Sequence, residues 1–176
     1  MSQGASCSYD LSYYDKMLRS YSGSAQLICE RRWAWVAEAA PRTVLDYGAG
    51  IGWFRAFAPP GVQVDTYDVM PTPQTGITRT TYDLLTLWDV LEHLSSLTEI
   101  EALLLGARHV AISIPILPSD QSWIGWKHFK PHEHLFYPTH EQLKALFASF
   151  GFDEVKRGQP ECPPREDIWN FLYRRV

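Results

Sequence analysis

The stretch VLDYGAGIG, from Val44 to Gly52, is the most informative segment of the chain. An apolar strand, predicted over 43–47, carries Asp46 and runs into glycines at positions 48, 50 and 52, and a short helix is predicted over 51–57. Because glycine lacks a Cβ atom, such a turn lets the backbone approach a ligand closely, and the helix start offers free N–H groups. The segment therefore predicts a strand–turn–helix unit that binds a ligand at its turn.

The spacing of the glycines separates this turn from a dinucleotide-binding one. In the GxGxxG fingerprint the third glycine comes three residues after the second, whereas here it comes two residues after, and Trp53 follows. The next predicted strand, 62–67, is followed by Asp68, 22 residues after Asp46. A carboxylate at the carboxyl end of that strand suits the two vicinal hydroxyls of a ribose. Asp65 is the alternative acid, but it lies within the strand, so we assign the ribose contact to Asp68.

The rest of the chain alternates between strand-like and helix-like segments, which predicts an α/β domain with a mainly parallel sheet. The further predicted helices are 24–39, 97–105 and 140–150, and the further predicted strands are 82–88, 109–114, 152–157 and 168–174, the last two pairing antiparallel. Ser95 or Ser96 is expected to cap the second of these helices. Thr139 and Gln142 form a capping box for the third helix, and Gly151 occupies its C′ position.

Composition and charge limit the class of protein. The chain has 176 residues, with 45% hydrophobic and 20% charged, which is typical of a globular protein. We expect one domain over 1–176, with an N-terminal helical segment (1–40) and a core (41–176). The net charge of −4 supplies no overall basic face for nucleic acid, and a local basic patch is the remaining route to such binding.

Targeting and redox features are few. No apolar run approaches the roughly 20 residues that span a bilayer, and the first ten residues have neither the basic start nor the apolar stretch of a signal peptide. The three cysteines are far apart and include no CxxC motif, so neither a disulfide framework nor a cysteine zinc site is supported. We expect a cytoplasmic protein without a membrane partner.

Asp46 to Gly52 matches (D/E)xGxGxG, the first motif of the class I S-adenosylmethionine (SAM)-dependent methyltransferases, which the chain resembles. LLTLWDVLEHL (84–94) looks like the fourth-strand segment of that family, and HFKPHEHLFYPTHEQL and GFDEVKR resemble later segments in the correct order. The resemblance covers roughly residues 40–175. It implies a Rossmann-like, mainly parallel twisted sheet with an antiparallel C-terminal strand, and SAM as cofactor. The cofactor-binding residues then expected are Asp46, Gly48, Gly50, Gly52, Asp68, Val69, Trp88 and Asp89.

One segment departs from the family pattern. Between Asp68 and Tyr82 lie only about a dozen residues, including MPTPQTGITRTT, where a standard member has a helix and a further strand. We therefore expect the fold to be abbreviated between the second strand and the family's fourth. Adenine recognition then rests on backbone groups and apolar side chains such as Met70 or Trp88. The N-terminal helix is expected over the cofactor pocket, with Tyr13 or Tyr14 nearby.

The acidic phrase after the strand at 82–88 is the first candidate for acceptor chemistry. Asp89, Glu92 and His93 form D-x-x-E-H, which is similar to the E-x-x-E-H of metal-dependent quinone and small-RNA 2′-O-methyltransferases. In the RNA group a later His-x-His segment contributes, and His132 to His134 occupies a comparable place. Metal binding by Glu92 and His93 is one interpretation. The favoured interpretation is that they cap and pack the following helix, because DVLEH also occurs in metal-free relatives.

The loop from Ser122 to Tyr137 is the second candidate. Its aromatic side chains alternate with lysines and histidines, a pattern that suits a planar, anionic acceptor or, equally, a flap over the core. We choose His134 as the base and keep Asp89 as a second catalytic candidate. No DPPY-like motif follows the strand, so amino methylation of bases by that motif is not expected.

The acceptor predicted is a small molecule or a nucleotide-like compound, methylated on oxygen or nitrogen. An RNA or DNA methyltransferase is the alternative within the enzyme class. A SAM-binding subunit without activity is the alternative outside it, and an acceptor pocket closed by Trp88, Trp123 or Trp126 would distinguish that case. The acceptor surface of such a short chain is also open to a contribution from a partner chain.

Overall fold

The computed structural model describes residues 23–70, 76–118 and 125–176. Tyr13, Tyr14 and Trp123 lie outside this part of the chain. The strands are β1 (Thr43–Tyr47), β2 (Gln63–Tyr67), β3 (Tyr82–Trp88), β4 (Ala107–Pro115), β5 (Phe152–Gly158) and β6 (Ile168–Arg175). The α-helices are α1 (Ala25–Val36), α2 (Trp53–Ala56), α3 (Thr98–Gly106) and α4 (His140–Ser149), and short 3₁₀ turns span Ala37–Ala39 and Leu91–His93.

The strands form one sheet in the order β2-β1-β3-β4-β6-β5. β1 pairs in parallel with β2 and β3, and β3 pairs in parallel with β4, whereas β6 runs antiparallel to both β4 and β5. The predicted mainly parallel sheet with an antiparallel C-terminal end is therefore confirmed. Within the described residues β2 is an edge strand, which agrees with the predicted abbreviation after it.

The core lies on both faces of this sheet. Successive side chains of a strand point to opposite faces, and in β3 both sets are buried, with Leu84, Leu85 and Leu87 fully inaccessible. Leu85 and Leu87 belong to a cluster with residues of α3 and α4, and Leu84 belongs to a second cluster with residues of α1 and α2. Full burial of a leucine side chain stabilises a fold by roughly 1.5–3 kcal/mol. The three leucines therefore hold β3 firmly in the sheet, and the candidate site lies at the carboxyl end of this strand.

The helix ends follow local sequence signals with one correction. The Thr139–Gln142 capping box is present at α4, and Gly151 has a φ of +78° after it. The helix predicted to start at 97 begins at Thr98 instead, and its N-cap is Leu97 rather than a serine. The hydroxyl of Ser96 still accepts a hydrogen bond from the Thr98 N–H at 3.2 Å. β4 also starts two residues before the predicted 109–114. None of the helices in the described ranges is both long and apolar enough to cross a membrane.

Candidate active site

The glycine turn closes tightly against the end of β2. The N–H groups of Gly48 and Ala49 both donate to the carbonyl of Tyr67, at 2.7 and 3.0 Å. Gly48, Gly50 and Gly52 all have positive φ angles, of +79°, +55° and +83°, which residues with a Cβ rarely adopt. A Cβ atom at Gly48 would overlap the side chain of Val90. Glycine is therefore required there both by its backbone conformation and by the close approach of the segment after β3.

Asp68 holds the turn from the other side. It directly follows β2, and its Oδ2 accepts a hydrogen bond from Gly50 N at 2.7 Å, while its Oδ1 accepts one from Met70 N at 2.9 Å. The rival acid, Asp65, accepts hydrogen bonds from Thr78 and Tyr82 and pairs with a nearby arginine. Burial alone would raise the pKa of Asp65, but these contacts outweigh it and lower the pKa. Asp65 is thus a structural acid, whereas Asp68 lies at the turn.

Asp46 is buried in the sheet at the start of the turn, with 1% of its surface exposed. Its Oδ1 accepts a hydrogen bond from the Thr86 hydroxyl at 2.7 Å. Its Oδ2 has no hydrogen-bond partner among the residues that the structure describes. Burial raises the pKa of Asp46 to about 6, against the opposing effects of Thr86 and Arg32. A buried carboxylate with one unpartnered oxygen is suited to receive a cation or a hydrogen-bond donor.

One cavity of about 470 Å³ extends from the glycine turn to the histidine-rich segment, which is the described part of the loop before α4, residues 125–137. This volume lies within the range of about 300–1,000 Å³ common for small-molecule sites. The predicted site residues that line it are Asp46, Gly48, Gly50, Asp68, Val69, Trp88, Asp89, Glu92, His93 and His134. Gly52 and Met70 are not in its wall. Gly52 instead precedes the first turn of α2, and Val69 rather than Met70 is the apolar residue beside Asp68.

A charged network closes one wall of this cavity, formed by Arg32, Asp89, Glu161 and Arg165. Asp89 accepts two hydrogen bonds of 2.8 Å from Arg165 and one of 2.9 Å from Arg32. Glu161, fully buried, accepts from both arginines and from Asn170. Two carboxylates thus face two guanidinium groups, and the charges balance, as a buried network requires.

This network changes the role expected for Asp89. Burial would raise the pKa of Asp89, but Arg165 and Arg32 outweigh it and hold the pKa well below its ordinary value. A carboxylate so stabilised is a poor proton acceptor. The surroundings of Asp89 therefore favour a positioning role over that of a proton acceptor. Its φ of +59° is unusual for a residue other than glycine and sharpens the bend after β3.

Three members of the charged network, Arg32, Glu161 and Arg165, were not predicted from the sequence. Arg32 and Glu161 are 129 positions apart in the chain, and no motif connects them. Arg32 also lies over the ring of Trp88, 4.8 Å from its centroid. The one available signal was positional, since α1 was expected over the cofactor pocket and Arg32 lies within that helix.

The Glu–His–His cluster, made of Glu92, His93 and His134, lies across the cavity from the turn. Backbone hydrogen bonds from Leu135 and Phe136 to the Glu92 carbonyl, of 2.6 and 3.3 Å, bring the segment that carries His134 against the turn after β3. The rings of His93 and His134 meet edge to face at a centroid distance of 4.8 Å. Sequence analysis predicted each of these residues, and the fold brings all three together.

Burial controls the protonation of this cluster. Burial lowers the pKa of His134 to about 4, and the neighbouring His93 and Lys130 lower it further. Burial likewise raises the pKa of Glu92 well above its ordinary value, and the negative charge of Asp89 adds to the effect. His134 is therefore a neutral imidazole at pH 7, with a lone pair available.

Some side chains of the histidine-rich segment line the cavity, and others pack behind them. His128, Lys130 and His134 line the cavity, whereas Trp126 does not. Trp126 is buried and packs its ring against His128 and Tyr137 at centroid distances of 5.3 and 6.1 Å. Closure of the acceptor pocket by Trp88 or Trp126 would have marked the SAM-binding subunit without activity. Of these two residues only Trp88 lines the cavity, which also reaches His134.

The architecture and the site together define a class of protein. The sheet order, the glycine turn after β1 and the acid after β2 are the features expected of a Rossmann-like class I methyltransferase. A family described as a methyltransferase domain matches residues 19–156. The chain therefore belongs to this methyltransferase family. No curated protein matches the sequence.

Solved structures agree with this fold. Magnesium protoporphyrin IX methyltransferase from Synechocystis PCC 6803, with bound S-adenosylhomocysteine, has a TM-score of 0.70 at 17% identity, over 96% of each chain. A SAM-dependent methyltransferase from Archaeoglobus fulgidus has a TM-score of 0.66 at 15% identity, over 93% of this chain and 100% of that one. The 1,6-didemethyltoxoflavin-N1-methyltransferase of Burkholderia thailandensis has a TM-score of 0.64 at 15% identity, over 94% and 85%.

Proposed function

We propose that this protein transfers the methyl group of SAM to an oxygen or nitrogen atom of a small-molecule or nucleotide-like acceptor. The observation that carries the proposal is the cavity, which is continuous from the glycine turn to His134. A cofactor and an acceptor that share one cavity can be held in line for methyl transfer, for which positioning is the main requirement. SAM supplies an activated methyl group on a sulfonium, so the protein has to align two reactants.

The residues on the cofactor side fit SAM. The carboxylate of Asp68, which lies beside the backbone of Gly50, suits the two vicinal hydroxyls of a ribose. The unpartnered Oδ2 of Asp46 suits the ammonium of the methionine part, because a cation stabilises a buried carboxylate. Because Gly48 has no Cβ atom, the turn can lie close to Val90. Both residues line the cavity on this side. Val69, 72% exposed, offers an apolar surface beside Asp68 for the adenine.

On the acceptor side, His134 is the group we propose to accept a proton from the attacking atom. Its low pKa keeps it neutral at physiological pH, and it faces the cavity. With a pKa of about 4 the imidazole is a weak base. It therefore suits only an acceptor atom that becomes strongly acidic as the new bond to the methyl carbon forms. Asp89 and Arg165 position the wall beside it without taking the proton.

The charge at the cavity mouth favours a small acceptor over a nucleic acid. Lys130 pairs with Glu133 at 3.1 Å, and Lys127 pairs with Asp167. Both lysines are matched by acids, so residues 125–137 present no unpaired lysine stripe of the kind that phosphate backbones select. The net charge of the chain, −4, is also unfavourable for nucleic acid. Two of the neighbours described above are named as methyltransferases of magnesium protoporphyrin IX and of 1,6-didemethyltoxoflavin, and their names also favour a small-molecule acceptor.

Calorimetric titration of SAM and S-adenosylhomocysteine tests the cofactor half. We expect micromolar binding to the wild type, strongly weakened in Asp68→Asn, because the variant loses the charge that a ribose and the turn share. Asp153→Asn, on the exposed side of β5, is the matched control and should bind as the wild type does. The absence of heat and of thermal stabilisation with either ligand would sink the proposal.

A turnover assay then tests the enzyme against the binding-subunit alternative. Release of S-adenosylhomocysteine is measured with a panel of phenols, carboxylic acids, nucleosides and short RNA. Turnover with a small acceptor, reduced in His134→Gln but with SAM affinity retained, is the expected outcome. Higher turnover with RNA than with any small molecule would assign the acceptor to the nucleic-acid class instead.

A further inference from the structure

The Glu–His–His cluster has the composition and spacing of a metal site. One ligand-type atom from each of Glu92, His93 and His134 lies within 4.8 Å of the other two. Two ligands bound at 2.1 Å to one tetrahedral ion are roughly 3.4 Å apart. Small side-chain rotations therefore bring the three atoms onto a common centre. Glu92 and His134 are at least nine-tenths buried, at 2% and 6% exposure.

Two atoms of this cluster point to a ligand. The Oε2 of Glu92 and the Nδ1 of His134 are buried and have no hydrogen-bond partner among the residues described. A buried polar atom left unpaired destabilises the fold. Two such atoms, side by side in one cavity wall, are explained together if a cation coordinates both, whereas separate packing roles leave each of them unexplained.

His93 is held in the orientation that a metal ligand needs. Its Nδ1 lies 2.8 Å from the carbonyl of Glu133. Since a carbonyl only accepts, the proton is on Nδ1 and the lone pair of the neutral ring is on Nε2. Metal-bound histidines commonly donate their other ring N–H to such an outer partner, which fixes the tautomer and the ring plane.

Asp89, the first residue of the acidic phrase, is excluded from this site. Both of its oxygens are occupied by Arg165 and Arg32, and a cation that displaced them would leave two buried guanidinium groups unpaired. The site therefore has three protein ligands.

We propose that Glu92, His93 and His134 bind one divalent transition-metal ion, of the Zn²⁺ or Mn²⁺ type, within the cavity. Two imidazoles and one carboxylate favour such ions over Mg²⁺ or Ca²⁺, which prefer all-oxygen sites. Three protein ligands leave at least one position of the metal open. All three residues line the same cavity as the turn, so that position faces the acceptor.

The use of the metal rests on the proposed function. An acceptor hydroxyl bound at the open position would lose its proton to solvent more readily, because a divalent ion stabilises the resulting oxyanion. This role deepens the proposal of methyl transfer by selecting acceptors with a hydroxyl or carboxylate oxygen. His134 then acts as a ligand rather than as a proton acceptor, and the two roles are separated by the experiment below.

The test is metal titration in the absence of SAM. The full-length protein is stripped with a chelator and titrated with ZnCl₂, MnCl₂ and MgCl₂ by calorimetry, and Co²⁺ loading is followed by its visible absorption. We expect one equivalent of Zn²⁺ or Mn²⁺ in the wild type. In His134→Ala and Glu92→Gln the affinity should fall at least about 100-fold. His132→Ala removes an exposed histidine two positions away, outside the cluster, and should bind as the wild type does.

The outcomes separate this proposal from methyl transfer itself. Equal binding by His134→Ala and His132→Ala, or no binding by the wild type, overturns the metal site and leaves SAM binding untouched. If Glu92→Gln does not fold, the Co²⁺ spectrum of the wild type still reports whether nitrogen and oxygen ligands surround the ion. Metal binding without SAM binding would instead retain the site and refute the proposed function.

Discussion

The two sides of the cavity are built in different ways. The cofactor side consists of Asp46, the glycine turn and Asp68, which lie within 23 residues of sequence and are joined by short backbone contacts. The acceptor side depends on residues from four distant segments, including the Arg32–Glu161 pair across 129 positions. The side proposed to bind the cofactor is therefore built by local backbone geometry, whereas the side proposed to bind the acceptor is built by long-range side-chain pairs.

Breaking the charged network should have the largest effect. Glu161 is fully buried between Arg32 and Arg165, so Glu161→Gln leaves two buried cations facing one remaining carboxylate. We expect the free energy of unfolding to fall by about 3–5 kcal/mol, measured by urea denaturation. Glu141→Gln, on the exposed surface of α4, should change it by less than about 0.5 kcal/mol. A loss no larger than that of the control would mean that the network is not what holds the acceptor wall.

Asp46→Asn tests the cofactor side by its charge. The variant should weaken SAM binding by about 1.5–3 kcal/mol, because it removes the anion that faces the ammonium. The pKa of Asp46 is about 6 in the free protein. Above pH 6 the wild-type carboxylate is charged and binds the cation well, and below pH 6 it is protonated and the affinity falls. Titrations between pH 5 and pH 8 should show this fall in the wild type and not in Asp46→Asn.

Gly48→Ala tests the same side by its geometry. The new Cβ would overlap Val90, and alanine is strained at a φ of +79°. Strain of this kind costs about 1–3 kcal/mol, so we expect SAM affinity to fall tenfold or more, measured by calorimetry. Gly23→Ala is the matched control, since a Cβ there meets nothing within 4 Å. Unchanged affinity in Gly48→Ala would show that the turn adjusts without cost.

Thr139→Ala should have the smallest effect and belongs to neither side. It removes the hydroxyl that caps α4, at a cost of about 1 kcal/mol. We expect a lower melting temperature with unchanged SAM affinity. This variant shows whether general destabilisation alone weakens binding. If it does, losses of SAM affinity in Asp46→Asn and Gly48→Ala could not be assigned to the contacts that those substitutions remove.

The same contrast explains which expectations were confirmed. β1 and β3 have the predicted bounds, 43–47 and 82–88, and the capping box of α4 is present, because alternation and capping depend on neighbouring residues. The pairing of Asp89 with Arg165 and Arg32 was not predicted, because nothing near Asp89 in the sequence indicates either arginine. The serine cap of α3 was also displaced, because Leu97 packs against the core and takes the N-cap position.

Local sequence was sufficient for the strand–turn–helix unit, for the second acid at its fixed spacing and for the mainly parallel sheet. These features follow from backbone conformation and from the period of buried side chains, both of which are short-range. The meeting of Glu92 and His93 with His134, and the pairing of Asp89 with two arginines, were decided by the tertiary structure alone. The protonation of a buried group depends on all the charges that folding places around it, and those charges come from segments that are far apart in the chain.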